Sequence, residues 1–273
     1  MTAPATTGTR PPAVAGMFYP AAPEALARML DTMLAAARPA DGPPPKALIA
    51  PHAGYVYSGP VAASAYALLR PAREAIRRVV LLGPAHRVAV HGLALPAAAR
   101  FATPLGSVAL DRDALAMLRG MPQVTVSDEA HALEHAIEVH LPFLQTVLRT
   151  FTLVPLAVGH AAPDAVAAVL EALWGGPETL IVVSSDLSHY HPYAQARQLD
   201  HATAQAILAS RTDISHEQAC GATPVAGLAL VAQRRGLRPV LLDLRNSGDT
   251  AGDRHRVVGY GAFAYHEQSR HAH

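Results

Sequence analysis

Ala47-Leu48-Ile49-Ala50-Pro51-His52-Ala53-Gly54-Tyr55 and Val79-Val80-Leu81-Leu82-Gly83-Pro84-Ala85-His86 follow one local plan: a short apolar run, then a proline, then a histidine. Wholly apolar runs of this length, bounded by turn residues, read as strands buried on both faces, the kind that parallel sheets contain. Open α/β sheets bind ligands beyond the carboxyl ends of their strands. The two runs therefore deliver His52 and His86 to one crevice. A third run, Leu180-Ile181-Val182-Val183, leads into Ser184-Ser185-Asp186-Leu187-Ser188-His189-Tyr190, and its aspartate and histidine can face the same crevice.

The rest of the chain alternates in a way that supports this reading. A helix opens at Pro23 and Glu24, with Leu26, Met29, Leu30, Met33 and Leu34 at helical spacing, and the stretch 39–45 breaks it. The pattern then predicts a strand at 46–50, a helix near 60–70, a strand at 78–82, shorter strands around 92–95 and 106–110, and a helix near 111–119. A longer helical segment over about 129–149 carries Pro142, which should start a new turn or kink. Strand 152–158, helix 163–173 and strand 179–184 form another β-α-β unit. Helices near 193–210 and 223–235, a strand at 238–243 and a last one from Val257 to Tyr265 complete the chain. The expected fold is α/β: a central mainly parallel or mixed sheet flanked by helices. Residues 1–12 read as a flexible lead-in, 13–266 as one domain and 267–273 as a loose tail.

Composition excludes several classes. With 51% hydrophobic and 16% charged residues, the 273-residue chain is globular and not disordered. A formal charge of +1 with interspersed signs leaves no basic stripe for nucleic acid and no polybasic membrane patch. No apolar run is long enough to span a bilayer, and the N-terminus lacks signal-peptide features, so a cytoplasmic protein is expected. A single cysteine, Cys220, rules out an internal disulfide. The one compositional excess is histidine, at 15 residues.

Those residues suggest chemistry. Neutral imidazole binds first-row metals, a carboxylate can ligate or orient an imidazole, and a second histidine can exchange protons. Cys220 precedes the helix at 223–235, whose N-terminus would favour a thiolate, so it reads as a third ligand or as a nucleophile. On a helix, His131, His135 and Glu138 would share a face and could line the crevice; a partly solvated face with local charge pairing explains them as well. Tyr55, Tyr57 and Tyr190 lie beside the candidate ligands and can shape a pocket, or simply pack. Arg245 to Thr250 reads as a solvated polar loop. The phosphate-binding, dinucleotide-binding and serine-elbow signatures are absent from the sequence.

Seven segments in order, Ala15-Gly16-Met17-Phe18-Tyr19-Pro20, Pro51 to Tyr55 with Ser58-Gly59, Gly83 to His86, Glu134 to Glu138, Ser184 to Tyr190, Cys220-Gly221, and Val258-Gly259-Tyr260-Gly261, resemble the Memo family, also known as AmmeMemoRadiSam system protein B. That family is similar in fold to LigB-type class III extradiol dioxygenases, which are non-haem Fe(II) enzymes. The resemblance implies metal ligation by His52, His86 and Cys220, with Asp186 and His189 as catalytic groups beside the metal. It implies Fe(II) or copper as cofactor, an oxygen-dependent redox activity, and a functional link to a radical-SAM protein and an AMMECR-type protein. The ring-cleaving relatives use a glutamate where this sequence offers Cys220, and a thiolate shifts preference toward softer metals such as Cu(I). Two other readings stay open: a binding module that holds a small molecule or peptide without turnover, and an enzyme with Cys220 as nucleophile.

Overall fold

In the computed structural model, which describes residues 8–38 and 42–267, the apolar runs form strands β2 (Ala47–Ala50), β3 (Arg78–Pro84), β8 (Thr152–Val158) and β9 (Thr179–Ser184). They pair in parallel in the order β2-β9-β3-β8. All four are buried almost throughout, which is why their sequences are continuously apolar and not alternating. Around them, strands β4 (Leu93–Leu95), β7 (Val124–Val126), β10 (His189–His191), β11 (Arg238–Asn246) and β12 (Val257–His266) complete a mixed nine-stranded sheet. β12 joins antiparallel to β2, and β4 joins antiparallel to β8. The expected α/β architecture is present.

Helices cover both faces. α1 (Pro23–Ala36), α2 (Tyr55–Tyr66), α5 (His135–Glu138) and α6 (Leu141–Val147) pack together against one side, and α7 (Pro163–Ala172) packs with α9 (Ala222–Arg235) on the other. The end of β9 shows the alternation directly. Ser184 bonds to the carbonyl of Ala136 in α5, while the next residue, Ser185, accepts from Gly221 N–H before α9. The remaining helices are α3 (Arg112–Leu118), α4 (Asp128–Ala132), α8 (Tyr193–Leu208) and α10 (Ser247–Thr250). Among the described residues, no helix is long and apolar enough to cross a membrane.

Four expectations are corrected. The segment 129–149 is three short helices, α4, α5 and α6, because Pro142 has no N–H to continue a helix and Glu134 leaves the helical path to cap α5 with its side chain. The helix expected near 60–70 is α2, which begins at Tyr55, runs past Pro60, and continues as a 3₁₀ turn from Ala67 to Ala72. The strand expected around 106–110 is present as β6 (Gly106–Ala109), and it pairs in a second sheet with β5 (Arg100–Thr103) and β1 (Thr9–Arg10). The lead-in is therefore shorter than 12 residues: Thr9–Arg10 is a strand, and Arg10 is buried. Residues 1–7 of that lead-in, and 268–273 of the expected tail, lie outside the described residues.

The fourth correction concerns Glu138. It is fully buried and turned away from the crevice, where it accepts from Arg10, Tyr19 and the backbone N–H groups of Ala13 and Val14. Its carboxylate clamps the N-terminal segment onto α5. Removing one partner of a buried ion pair strands the other charge, which costs about 3–5 kcal/mol. Glu138→Gln should accordingly lower unfolding stability in urea by about that amount; an unchanged midpoint would show that the clamp is not held by this charge.

Candidate metal centre

β2 and β3 lie on either side of β9, so the residues just beyond their ends converge. His52 follows β2, His86 follows β3 and Asp186 follows β9. In register, Ala50 is level with Ser184. Past that point Asp186 Oδ1 accepts from His52 N–H at 2.8 Å, so a side chain takes over where the ladder ends. Cys220 arrives from the other side of the sheet. Its N–H donates to Asp186 O at 3.2 Å, and Asp186 N–H donates to Cys220 Sγ at 3.3 Å. Only glycine permits this approach at position 221, since a Cβ there would lie 2.5 Å from Ser184 O.

Hydrogen bonding sets the tautomers of both histidines. Ser184 Oγ contacts Ala136 O at 2.6 Å, His52 Nδ1 at 2.6 Å and His140 Nε2 at 2.7 Å. A carbonyl can only accept, so the single serine proton goes to Ala136 O, and both imidazoles must donate to the serine oxygen. His52 is thereby protonated on Nδ1 and presents the lone pair of Nε2. His140 is completed by Tyr66, whose hydroxyl donates to Nδ1 at 2.7 Å. His86 is set the same way: Nδ1 lies 3.0 Å from Glu134 Oε1, and its backbone N–H donates to Glu134 Oε2 at 2.6 Å. Donation from Nδ1 to a carboxylate leaves Nε2 free, the arrangement that orients metal-bound imidazoles.

The donor atoms of His52, His86 and Cys220 lie within 4.8 Å of one another, with Cys220 Sγ 3.4 Å from His52 Nε2. His135 completes a cluster of imidazoles. Its ring stacks on His86 at 4.9 Å, lies 5.4 Å from that of His52, and its Nδ1 is buried without a hydrogen-bond partner. Burial pushes His52 and His140 well below the usual histidine range, and neighbouring imidazoles add to the effect. Burial also opposes charge on Glu134, but bonds from His86 and from the Ala136 and His86 backbone outweigh it and hold that carboxyl at about 2. Burial thus favours neutral imidazoles at His52, His140 and His135, beside the ionised Glu134 carboxylate. A neutral imidazole has no proton to displace from the nitrogen it offers to a cation.

Cys220 departs from expectation. Burial first, then the Asp186 carboxylate, pushes its thiol up to about 12, so the start of α9 does not make it a thiolate. A cation at the three donor atoms is what would ionise it. Asp186 is itself raised by burial. Its second oxygen lies 3.9 Å from His52 Nε2.

The remaining expected residues divide. His135, Asp186, His189 and Tyr190 line a crevice of about 380 Å³ over His52, His86 and Cys220. Tyr55 does not: it is buried and its hydroxyl donates to Val139 O at 2.6 Å, a packing role. Tyr57 is partly exposed and sits outside the crevice lining, against Gly54. His131 is buried against Phe101, with Nε2 donating to Ala94 O. Sequence reasoning missed Glu134, Ser184, His140, Tyr66 and Arg87. Glu134 and Ser184 stand inside quoted motifs and Arg87 directly follows one, so these three left a signal that could have been found.

The profile of the Memo-like protein family matches residues 10–264. The chain belongs to the Memo-like protein family. A MEMO1 family protein of Aquifex aeolicus is 34% identical over 263 residues, covering 92% of this chain and 97% of that one. A MEMO1 family protein of Archaeoglobus fulgidus is 35% identical over 273 residues, covering 94% of this chain and 99% of its own length. An uncharacterized protein from Escherichia coli K12 of known structure aligns with a TM-score of 0.48 at 14% identity, over 78% of this chain and 98% of that one.

Outer partners of metal-bound histidines typically contribute 10–100-fold to affinity. In this Memo-family chain, Glu134→Ala and Ser184→Ala should each weaken metal binding by about that factor in chelator competition, with the circular dichroism spectrum unchanged. Affinity equal to wild type in both would mean that the imidazoles are oriented by something else.

Proposed function

We propose that this Memo-family chain holds one iron or copper ion on His52, His86 and Cys220 and serves an oxygen-dependent redox reaction on a small molecule seated in the adjoining crevice. The observation that carries this reading is the pair of preset tautomers. Ser184 and Glu134 each accept a hydrogen bond from Nδ1–H of one histidine, so two Nε2 lone pairs face one thiol at the mouth of a buried sheet. Two imidazoles and a sulfur suit borderline to soft first-row metals and fit poorly with calcium or magnesium, which require oxygen ligands. His135 Nδ1, buried beside this set, makes no hydrogen bond of good geometry, with Glu134 Oε1 3.4 Å away.

When bound, the ion supplies a redox couple and a Lewis acid that stabilises an anionic ligand. The chain's own residues supply the rest. Asp186 is anchored through one oxygen by His52 N–H, and burial raises its proton affinity, so it is suited to accept a proton beside the donor atoms. His189 lines the crevice and is half-buried, a position from which it can take a proton from a substrate and return it to solvent. Tyr190 stands at the crevice with φ of 63°, and its ring is covered by the Arg256 guanidinium at 5.2 Å. A non-glycine residue in that region is strained, and such strain concentrates at ligand sites.

The nucleophile reading is less well supported. A catalytic thiolate needs a cationic field, and Cys220 instead faces a carboxylate that pushes its proton affinity up. Elemental analysis after anaerobic reconstitution with Fe(II) or Cu(I) should find about one metal per chain, the stoichiometry of a single three-ligand centre, and little in Cys220→Ser or His52→Ala. Metal retained in full by both variants, or absent from wild type, would overturn the assignment and leave the crevice as a binding pocket.

A further inference from the structure

Arg87 lines the crevice of about 380 Å³ over His52, His86 and Cys220, and the proposed centre leaves it unused. It directly follows His86 on the loop after β3, so its Cα stands about 3.8 Å from that of a candidate ligand. Elsewhere in the molecule guanidinium groups are occupied. Arg10, Arg78 and Arg245 pair with Glu138, Asp111 and Asp243, while Arg235 lies over Trp174 and Arg254 over Tyr193. Among the described residues the exposed Arg87 side chain has no ion pair, no hydrogen bond and no ring beneath it. The acids around the centre are already engaged: Glu134 accepts from His86, and Asp186 Oδ1 accepts from His52 N–H.

The charge of Arg87 reaches the imidazole cluster. Burial chiefly lowers the proton affinity of His135, and Arg87 lowers it further. A second guanidinium, that of Arg256, lies over the ring of Tyr190 on the crevice wall. Against these stands one lining carboxylate, Asp186. A metal ion on the three donor atoms would add to the positive side, and a cleft of one sign concentrates ligands of the other. One guanidinium offers two parallel N–H groups that match a planar carboxylate. A phosphate dianion would bring a second negative charge up to Asp186, with no second guanidinium lining the crevice to meet it.

We propose that the crevice takes a small organic monocarboxylate, and that Arg87 pairs with its carboxylate and so holds the rest of the molecule over His52, His86 and Cys220. This rests on the reading of the crevice as the seat of the substrate. The pairing is electrostatic and involves no covalent step.

Benzoate, neutral benzamide and phenylphosphonate test it, titrated calorimetrically into metal-free and reconstituted protein whose metal content is counted in the same samples. In metal-free protein, where no ion can hold the carboxylate, benzoate should bind about tenfold or more tighter than benzamide, the scale of a charge-assisted pair, and tighter than phenylphosphonate. Arg87→Gln should abolish the preference for benzoate over benzamide. Arg87→Lys, which keeps the charge without the fork, should restore part of it. Since the Arg87 side chain is exposed and makes no hydrogen bond, both variants should keep the unfolding midpoint and metal content of wild type. Arg119→Gln, at an exposed arginine after α3, should bind benzoate as wild type does. Equal benzoate affinity in wild type and Arg87→Gln overturns the anchor, whatever the metal content, and tighter binding of phenylphosphonate overturns the monocarboxylate class. A wild-type protein that prefers benzoate through Arg87 yet takes up no metal overturns the metal centre and leaves the anion site standing.

Discussion

One serine hydroxyl at the end of β9 carries more of this architecture than its size suggests. Ser184 has one proton to give, and Ala136 O takes it. The two imidazoles on its lone pairs, His52 and His140, must therefore both be donors, and that necessity passes outward to Tyr66 on one side and to the free Nε2 of His52 on the other. All these groups are buried, so each unsatisfied atom would carry a full desolvation penalty. A network of this kind has one self-consistent proton arrangement. It presents His52 to the crevice in the form a metal requires.

The parallel pairing of β2, β9 and β3 places that network. Because β9 lies between the other two, His52 and His86 stand on either side of Asp186, and the loop carrying Cys220 closes over from the opposite helical layer. The N-terminal segment is locked to the same region by different means. Glu138 gathers Arg10, Tyr19 and two backbone N–H groups, which brings Phe18 onto the ring of His135 at 4.9 Å. Glu134 and Glu138, four residues apart, thus do unlike work: one aims a candidate ligand and the other holds down the chain that walls the cluster.

Much of the fold was legible because buried parallel strands leave a plain mark. Four wholly apolar runs bounded by turns read correctly as the sheet's centre, and the histidines and aspartate that follow them were found by position alone. The misreadings have local causes. The helix expected near 60–70 begins at Tyr55, so Pro60 lies in the second turn of α2, whereas Pro142 starts a new turn as expected, in α6 after two separate short helices. Glu138 and Tyr55 resemble pocket residues because they neighbour pocket residues in sequence, but their side chains point into the core. Helical spacing cannot assign a face to a helix of four residues.

The sequence by itself determined the sheet, the family and the identity of the groups that meet at its edge, since hydrophobic runs and the chemistry-bearing residues after them are local properties. The protonation states were decided only by tertiary structure. Whether Cys220 is thiol or thiolate depends on Asp186, 34 positions away, and on burial that no spacing reveals. Which nitrogen His52 offers depends on Ala136 and Ser184, distant in sequence from it and from each other. Electrostatics and hydrogen-bond direction are sums over neighbours in space, and the folded chain alone supplies those neighbours.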